Sequence, residues 1–196
     1  MVVAIHGLCK VFNEHQVLRS LELRLEDGGI YCLMAPSGAG KTTLLRILLG
    51  LETKDAGTIR GIKPGEISAM FQENRLCEAL TPVENVALVC PGKVSRSAIR
   101  RNLELILPAE CMEQPTSELS GGMKRRVALA RAMNYPGKMI LLDEPFTGLD
   151  TDTKKKVIDY ILSMRNQRIL LAATHGEEDA VWLGARKIRL GDGADG

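Results

Sequence analysis

A buried strand that runs directly into a glycine-rich loop and a helix constrains the fold of this 196-residue chain most. Residues 30–34 are apolar, residues 36–43 read Pro-Ser-Gly-Ala-Gly-Lys-Thr-Thr, and an apolar helical segment at 44–49 ends at Gly50. In such a unit the backbone N–H groups of the loop converge at the start of the helix, where they bind phosphate. A glycine-rich turn with a surface lysine is the alternative, but it would leave the strand before and the helix after unexplained.

The rest of the chain predicts an α/β protein built around this unit. Residues 17–25 alternate apolar and charged side chains, which indicates a half-exposed antiparallel strand. From residue 120 to residue 190, helices alternate with apolar strands, which indicates a mostly parallel sheet covered on both faces.

The segment between these parts is predicted to be helical. It contains a capping box with proline at the first helical position, Thr81-Pro82-Val83-Glu84. We therefore expect one domain, in which residues 1–72 and 119–196 form a nucleotide-binding core with a β subdomain. Residues 73–118 would form an inserted helical subdomain.

Two polar pairs predict a nucleotide site. Lys41 would reach the β and γ phosphates, and the Thr42 hydroxyl would bind Mg²⁺. Asp143 and Glu144 follow the apolar strand 139–142, at the carboxyl edge where α/β sheets bind ligands. Asp143 can hold Mg²⁺ through water, and Glu144 can polarise an attacking water as a general base. For this pair in isolation, an acidic turn after a strand is the alternative.

A second phosphate-binding device is predicted at Leu119-Ser120-Gly121-Gly122-Met123. Ser-Gly-Gly at the start of a helix offers a hydroxyl, exposed amides and the positive end of the helix dipole. Ser120 as a simple N-cap is the alternative. Two adjacent glycines destabilise a helix by roughly 1 kcal/mol each against alanine, which indicates that something approaches the backbone closely. One nucleotide needs no second device on the same chain, so we expect it to serve a nucleotide held by another copy.

Composition excludes several classes of protein. A net charge of +2 gives no argument for nucleic-acid binding, and we expect none. The five cysteines are scattered without C-x-x-C spacing, which argues against disulfides or zinc and favours a reducing compartment. Neither a signal peptide nor an apolar stretch near ~20 residues is evident, so we expect a soluble chain. The basic runs Lys124-Arg125-Arg126 and Lys154-Lys155-Lys156 are interpreted as solvated helix faces.

Taken in order, these motifs resemble an ATP-binding cassette (ABC) ATPase, the nucleotide-binding subunit of an ABC transporter, over essentially the whole chain. Such a subunit has a P-loop NTPase core. The segments that carry the resemblance are residues 37–43 (Walker A), Gln72 (Q-loop), residues 119–123 (signature), residues 139–144 (Walker B), residues 147–150 (D-loop) and Thr174-His175 (switch histidine).

The resemblance implies a role for each motif. The phosphate loop would bind ATP through Ser37, Gly38, Ala39, Gly40, Lys41, Thr42 and Thr43. Gln72 would sense the attacking water and join Thr42 and Asp143 at Mg²⁺, and His175 would contact the γ-phosphate. Phe12 would stack on adenine, with a core aromatic in an edge strand as the alternative. Two cassettes would pack head to tail, so that the partner's ATP is completed by Ser120, Gly121, Gly122 and Asp150.

Three positions depart from the family pattern. Ala35 replaces a glycine, for which we expect a small backbone penalty. Met123 replaces the more frequent glutamine, as is familiar in bacterial importers. Gly176 stands where an acidic residue is common, which is expected to loosen that turn. None removes a phosphate ligand, a metal ligand or the candidate base, so we expect a competent ATPase.

Residues 71–76 and 80–88 resemble importer ATPases of the nitrate, sulfonate and taurine group. The resemblance implies a bacterial importer subunit on the cytoplasmic face of the inner membrane. An integral-membrane permease would dock on residues 73–118, and a solute-binding protein would take part indirectly. An ABC ATPase of an exporter or of a non-transport membrane complex is the alternative. Repair and translation ATPases are disfavoured, because no long coiled coil and no second cassette is present.

Overall fold

The computed structural model describes residues 1–36, 38–90, 92 and 94–190. The strands are β1 (Val2–Phe12), β2 (His15–Glu26), β3 (Ile30–Met34), β4 (Ala56–Arg60), β5 (Ile67–Met70), β6 (Met139–Asp143), β7 (Ile169–Ala173) and β8 (Arg186–Arg189). The helices are α1 (Lys41–Leu48), α2 (Pro82–Ala87), α3 (Arg96–Glu104), α4 (Gly121–Asn134), α5 (Thr151–Met164) and α6 (Glu177–Leu183).

A parallel sheet in the order β5-β6-β7-β3-β8 forms the centre of the protein. Every residue of β6 and β7 is buried, as expected for parallel strands covered on both faces. The register pairs Asp143 with Ala173 and Ala173 with Leu33. The carboxyl ends of β6, β7 and β3 therefore lie at one edge of the sheet.

An antiparallel sheet in the order β2-β1-β4 packs over one face of the parallel sheet. Its buried side chains, such as Ile5 and Leu25, share a cluster with Leu44 of α1 and Leu141 of β6. The alternation at 17–25 predicted β2, and β1 is the middle strand of this sheet rather than an edge strand.

The helical segment lies on the opposite face. Val86 of α2 and Leu103 of α3 belong to the same buried cluster as Val127 of α4 and Leu142 of β6. The predicted capping box is present, since Thr81 Oγ1 accepts a hydrogen bond from Glu84 N at 3.3 Å. The division at 73–118 stays a prediction, because the segment shares one core with α4.

In the described part of the chain, no helix has both the length and the apolar character needed to cross a membrane. All five cysteines are free. Burial in β3 raises the pKa of Cys32 to about 12, so this thiol stays protonated at neutral pH.

The interpretation of the two basic runs as solvated faces is wrong for one residue in each run. Arg125 of α4 is only 9% exposed. Lys154 of α5 forms an ion pair of 2.5 Å with the buried carboxylate of Asp179 and lies 5.5 Å from the ring centroid of Trp182. Long basic side chains can bury their stems and reach polar groups beneath the surface. A run of basic residues in the sequence does not show which of them does so.

Two leucines at the end of α3 test the packing of the helical segment. Leu103 is 0% exposed and Leu105 is 58% exposed. We expect Leu103→Ala to lower the free energy of unfolding by about 2–5 kcal/mol, because it leaves a cavity. The control Leu105→Ala should change it by less than about 0.5 kcal/mol. Urea denaturation measures both, and equal losses would contradict the packing described.

Candidate active site

A cleft of about 180 Å³ opens at the carboxyl edge of the parallel sheet. The loops that follow β3, β5, β6 and β7 surround it. Its lining residues are Gly38, Gly40, Lys41, Thr42, Thr43, Gln72, Asp143, Glu144 and His175. The structure thus brings together residues that the sequence placed in four separate motifs.

The phosphate loop is shaped by Gly40, the N-cap of α1, which has a left-handed φ of 93°. A Cβ added there would lie 2.9 Å from Leu18 Cδ2, so both the backbone and β2 require glycine. Lys41 Nζ donates to the carbonyls of Ala35 and Pro36. The φ of Ala35 is not positive, so the penalty expected for replacing glycine is not found. Ser37 lies outside the described residues.

Thr42 and Asp143 form the candidate metal pair. Thr42 Oγ1 donates to Asp143 Oδ2 at 3.3 Å. Burial raises the pKa of Asp143, while the Thr42 hydroxyl and the charges of Arg125 and Lys41 oppose this rise. Among the described residues no cluster of three His, Cys, Asp or Glu side chains could hold a metal ion. The Thr42 hydroxyl and the Asp143 carboxylate fit Mg²⁺, which commonly uses one or two carboxylates together with substrate phosphates.

Glu144 enters the cleft from an unusual backbone conformation. Its φ is 52°, in the left-handed region that non-glycine residues seldom occupy. Its Oε1 lies 3.0 Å from His175 Nε2, yet this buried oxygen makes no well-aligned hydrogen bond in the described structure. Burial raises the pKa of Glu144, and the neighbouring His175 and Lys41 oppose the rise. A partly buried carboxylate with a free oxygen is suited to polarising a water molecule.

Arg125 contributes to the site, although no sequence pattern indicated this. From α4 it donates to the carbonyl oxygens of Gln72 at 2.9 Å, Asp143 at 2.9 Å and Glu144 at 3.1 Å. Burial lowers the pKa of this guanidinium, while Asp143 and Glu144 oppose the change. Sequence reasoning missed Arg125 because its partners are backbone atoms of loops 18 and 53 residues away.

The model of one protein family, described as ABC transporter, matches residues 18–147. The chain belongs to this family. The expected family and fold class are confirmed, and the chain is an ATPase of the ABC class.

Individual relatives agree with this assignment. The aliphatic sulfonates import ATP-binding protein SsuB 1 of Pseudomonas syringae pv. syringae is 36% identical over 93% of this chain and 77% of its own length. The sulfate/thiosulfate import ATP-binding protein CysA of Vibrio vulnificus is 31% identical over 92% of this chain and 58% of its own length. A solved ATP-binding cassette, described as a dimeric post-hydrolysis state bound to ADP and Pi, is 26% identical with a TM-score of 0.83, over 96% of this chain and 94% of that one.

In this ABC chain the turn around the switch histidine is tightly bonded. The Thr174 hydroxyl donates to the buried carboxylate of Asp179 and accepts from Gly176 N at 3.2 Å. A Cβ added to Gly176 would lie 2.7 Å from Asp179 Oδ2. The expectation that Gly176 loosens this turn is therefore wrong, because the missing side chain makes room for Asp179.

The remaining predicted residues do not line the cleft. Phe12 ends β1 with its side chain 41% exposed and Lys10 Nζ 4.7 Å from its ring centroid, so it is not a core aromatic. Ser120 caps α4 by accepting from Met123 N at 3.3 Å, and Asp150 caps α5 by accepting from Thr153 N at 2.9 Å. The others outside the cleft are Ala39, Gly121 and Gly122. The capping role considered for Ser120 is therefore present, and the structure adds a capping role for Asp150.

The close fit of Gly176 against Asp179 predicts that an acidic residue at position 176 destabilises this chain, although such a residue is common in the family. Gly176→Asp introduces the acidic residue common in the family, but here it would place a clashing carboxylate against Asp179. We expect the free energy of unfolding in urea to fall by about 1–3 kcal/mol. Gly65→Asp is the control, since a Cβ at Gly65 meets nothing within 4 Å. A Gly176→Asp protein as stable as the control would disprove this account of the turn.

Proposed function

We propose that this ABC ATPase powers a bacterial importer of a small solute at the cytoplasmic face of the cell membrane. The ATPase assignment rests on family membership. The observation that supports the mechanism is the cleft, because residues of four motifs line it together. The word "import" in the names of SsuB and CysA supports the direction of transport. The solute would contact the permease and a solute-binding protein rather than this chain.

Within one chain, the cleft residues would have separate roles in binding and hydrolysing ATP. The phosphate-loop amides and Lys41 would bind the β and γ phosphates. Thr42, Asp143 and Gln72 would hold Mg²⁺, which neutralises charge on the phosphates when bound. Glu144 would orient and deprotonate the attacking water, and His175, 3.0 Å from it, would contact the γ-phosphate. Phe12, exposed at the end of β1, would stack on adenine.

A second copy would complete each ATP site. Gly121 and Gly122 begin α4, outside the cleft, and a Cβ added to either meets nothing within 4 Å. Packing within the chain therefore does not require these glycines, although they weaken the helix. A phosphate that approaches from a partner copy would explain them, because it needs bare backbone amides at a helix start. Ser120 and Asp150 would take part in the same contact.

A groove near the Q-loop is proposed to extend the permease docking surface beyond residues 73–118, since only Val89 of that segment lines it. It has a volume of about 330 Å³, lies beside β5, and is lined by Leu51, Ile67, Phe71 and Val89, among others. Leu51 is an exposed large apolar residue, and Phe71 is next to Gln72 in the chain. A cytoplasmic helix of a separate permease would cover this apolar surface and sense the state of Gln72.

Replacing Glu144 by glutamine tests the proposed base. We expect Glu144→Gln to lower kcat by about 10²-fold or more, because an amide is a poor base. ATP binding should persist, since the phosphate loop is unchanged, and an ATP-bound dimer should accumulate. Steady-state hydrolysis and light scattering in Mg-ATP measure the two effects. Hydrolysis near the wild-type rate would exclude Glu144 as the base.

Mixing two inactive variants tests the shared site. Lys41→Ala disables the phosphate loop, and Gly122→Asp places a carboxylate where the partner's phosphate would bind. Each variant alone should be inactive. A mixed dimer keeps one intact site, formed by the loop of one chain and the signature of the other, so mixing should restore up to about half of the activity per mixed dimer. The control is the double variant Lys41→Ala/Gly122→Asp mixed with either single variant, and failure of the main mixture to recover would argue against the shared site.

A further inference from the structure

Arg125 bonds three backbone carbonyls on two different loops of the cleft. Its Nη1 donates to the oxygen of Gln72, its Nη2 to those of Asp143 and Glu144, and its Nε to that of Glu144 at 3.1 Å. Two of the three donor groups therefore converge on the carbonyl of Glu144. Arg125 as a whole is only 9% exposed, so water has limited access to replace these bonds.

The carbonyl of Glu144 matters because the residue is in a strained conformation. A non-glycine residue with a φ of 52° persists only where the surroundings hold it. Glu144 N donates to Ala173 O at 2.9 Å, which fixes the peptide before the residue. The bonds from Arg125 to Glu144 O fix the peptide after it, and the bond to Asp143 O adds to the hold on the peptide before it. If the second peptide were released, the backbone could relax towards the extended region that Pro145 favours for the residue before it, and the carboxylate would turn away from His175.

We propose that Arg125 is a positioning residue that holds Glu144 in its left-handed conformation and so keeps the carboxylate in the cleft. The inference rests on the proposed role of Glu144 as general base. It adds a residue of α4, the helix that begins in the signature motif, to the hydrolytic site of its own chain, although Ser120, Gly121 and Gly122 at the start of that helix do not line the cleft.

Arg131, on the same helix, provides a matched comparison. It donates to the carbonyl oxygens of Arg75 at 2.7 Å and Asn74 at 2.9 Å through its two Nη groups. Both arginines thus hold the loop after β5, and burial lowers the pKa of both. Of the two, only Arg125 bonds residues 143 and 144, and only Arg125 uses its Nε to bond a cleft loop.

Two substitutions of similar length isolate the bond to Glu144. The amide nitrogen of Arg125→Gln is as many bonds from Cα as the arginine Nε, so it can donate to the Glu144 carbonyl. Arg125→Met has no donor at that position. Both variants lose the charge and the Nη groups, and they therefore differ chiefly in one hydrogen bond.

We expect Arg125→Met to lower kcat by about 10²-fold with KM for ATP changed less than about threefold, as for a misplaced catalytic group. Arg125→Gln should recover at least about tenfold of that loss. Steady-state hydrolysis of Mg-ATP measures both constants, and thermal unfolding shows whether both proteins are folded. If folded Arg125→Met and Arg125→Gln proteins hydrolyse ATP equally fast, the proposal is wrong.

Three controls separate positioning from simple stability. Arg131→Gln and Arg131→Met should not differ from each other in kcat, because Nε of Arg131 holds no cleft loop. In the Glu144→Gln background, Arg125→Met should cause no further loss, since it acts through the missing carboxylate. If Arg125→Met does not fold, Arg125→Asn replaces it, because its amide ends one atom short of the Nε position. An additional loss in the Glu144→Gln background, or full activity of Arg125→Asn, would overturn the proposal.

The experiment also distinguishes this inference from the proposed function. Rapid hydrolysis by Glu144→Gln would refute the assignment of Glu144 as the base, and the positioning role of Arg125 would then be refuted as well. An inactive Glu144→Gln protein together with equally active Arg125 variants would leave the base in place and refute the positioning role alone.

Discussion

The parallel register of β6, β7 and β3 is the constraint on which the site depends. Asp143 pairs with Ala173, and Ala173 pairs with Leu33, so the three strands end at the same level. Their following loops then supply the phosphate loop, the carboxylates and the switch histidine to one cleft. A slip by one residue would reverse which side chains face each layer of the core. Because β6 and β7 are buried on both faces, the two hydrophobic clusters fix this register and the geometry of the cleft with it.

Helix α4 links its own start in the signature motif to the loops of the cleft. It begins at Ser120 and the paired glycines, outside the cleft, while Arg125 and Arg131 bond the loops that line or adjoin it. A rigid helix moves as a unit, so a displacement at its start would also shift the carbonyls of Gln72, Asp143 and Glu144. Such a displacement can couple the start of α4 to the cleft only if the helix has two arrangements and ligands favour one of them over the other. An ATP-dependent dimer would provide the second arrangement.

Short-range patterns predicted most of the elements, and long-range contacts account for what the sequence did not reveal. The strand–loop–helix unit, the capping box at Thr81 and the strand before Asp143 all depend on neighbouring residues, and all are present. The burial of Arg125 depends on loops distant in sequence, and the fit of Gly176 depends on the orientation of Asp179. Composition and periodicity carry no information on such contacts. From sequence alone, the run that contains Arg125 is therefore interpreted as a solvated helix face, and Gly176 is expected to loosen its turn.

The glycines fall into two groups: those that contacts within the chain require, and those that a contact with a partner would explain. At Gly57 an added Cβ would lie 2.4 Å from Gly7 O, so the antiparallel sheet itself excludes a side chain there. Gly40 and Gly176 are likewise excluded from substitution by contacts within the chain. Gly121 and Gly122 are the only glycines inside the α-helices of the described residues, and neither has a positive φ or a neighbour within 4 Å of an added Cβ. Alanine would suit both positions better in an isolated chain. Contacts among the described residues thus do not explain these two glycines, and the proposed approach of a second copy and its nucleotide would explain them.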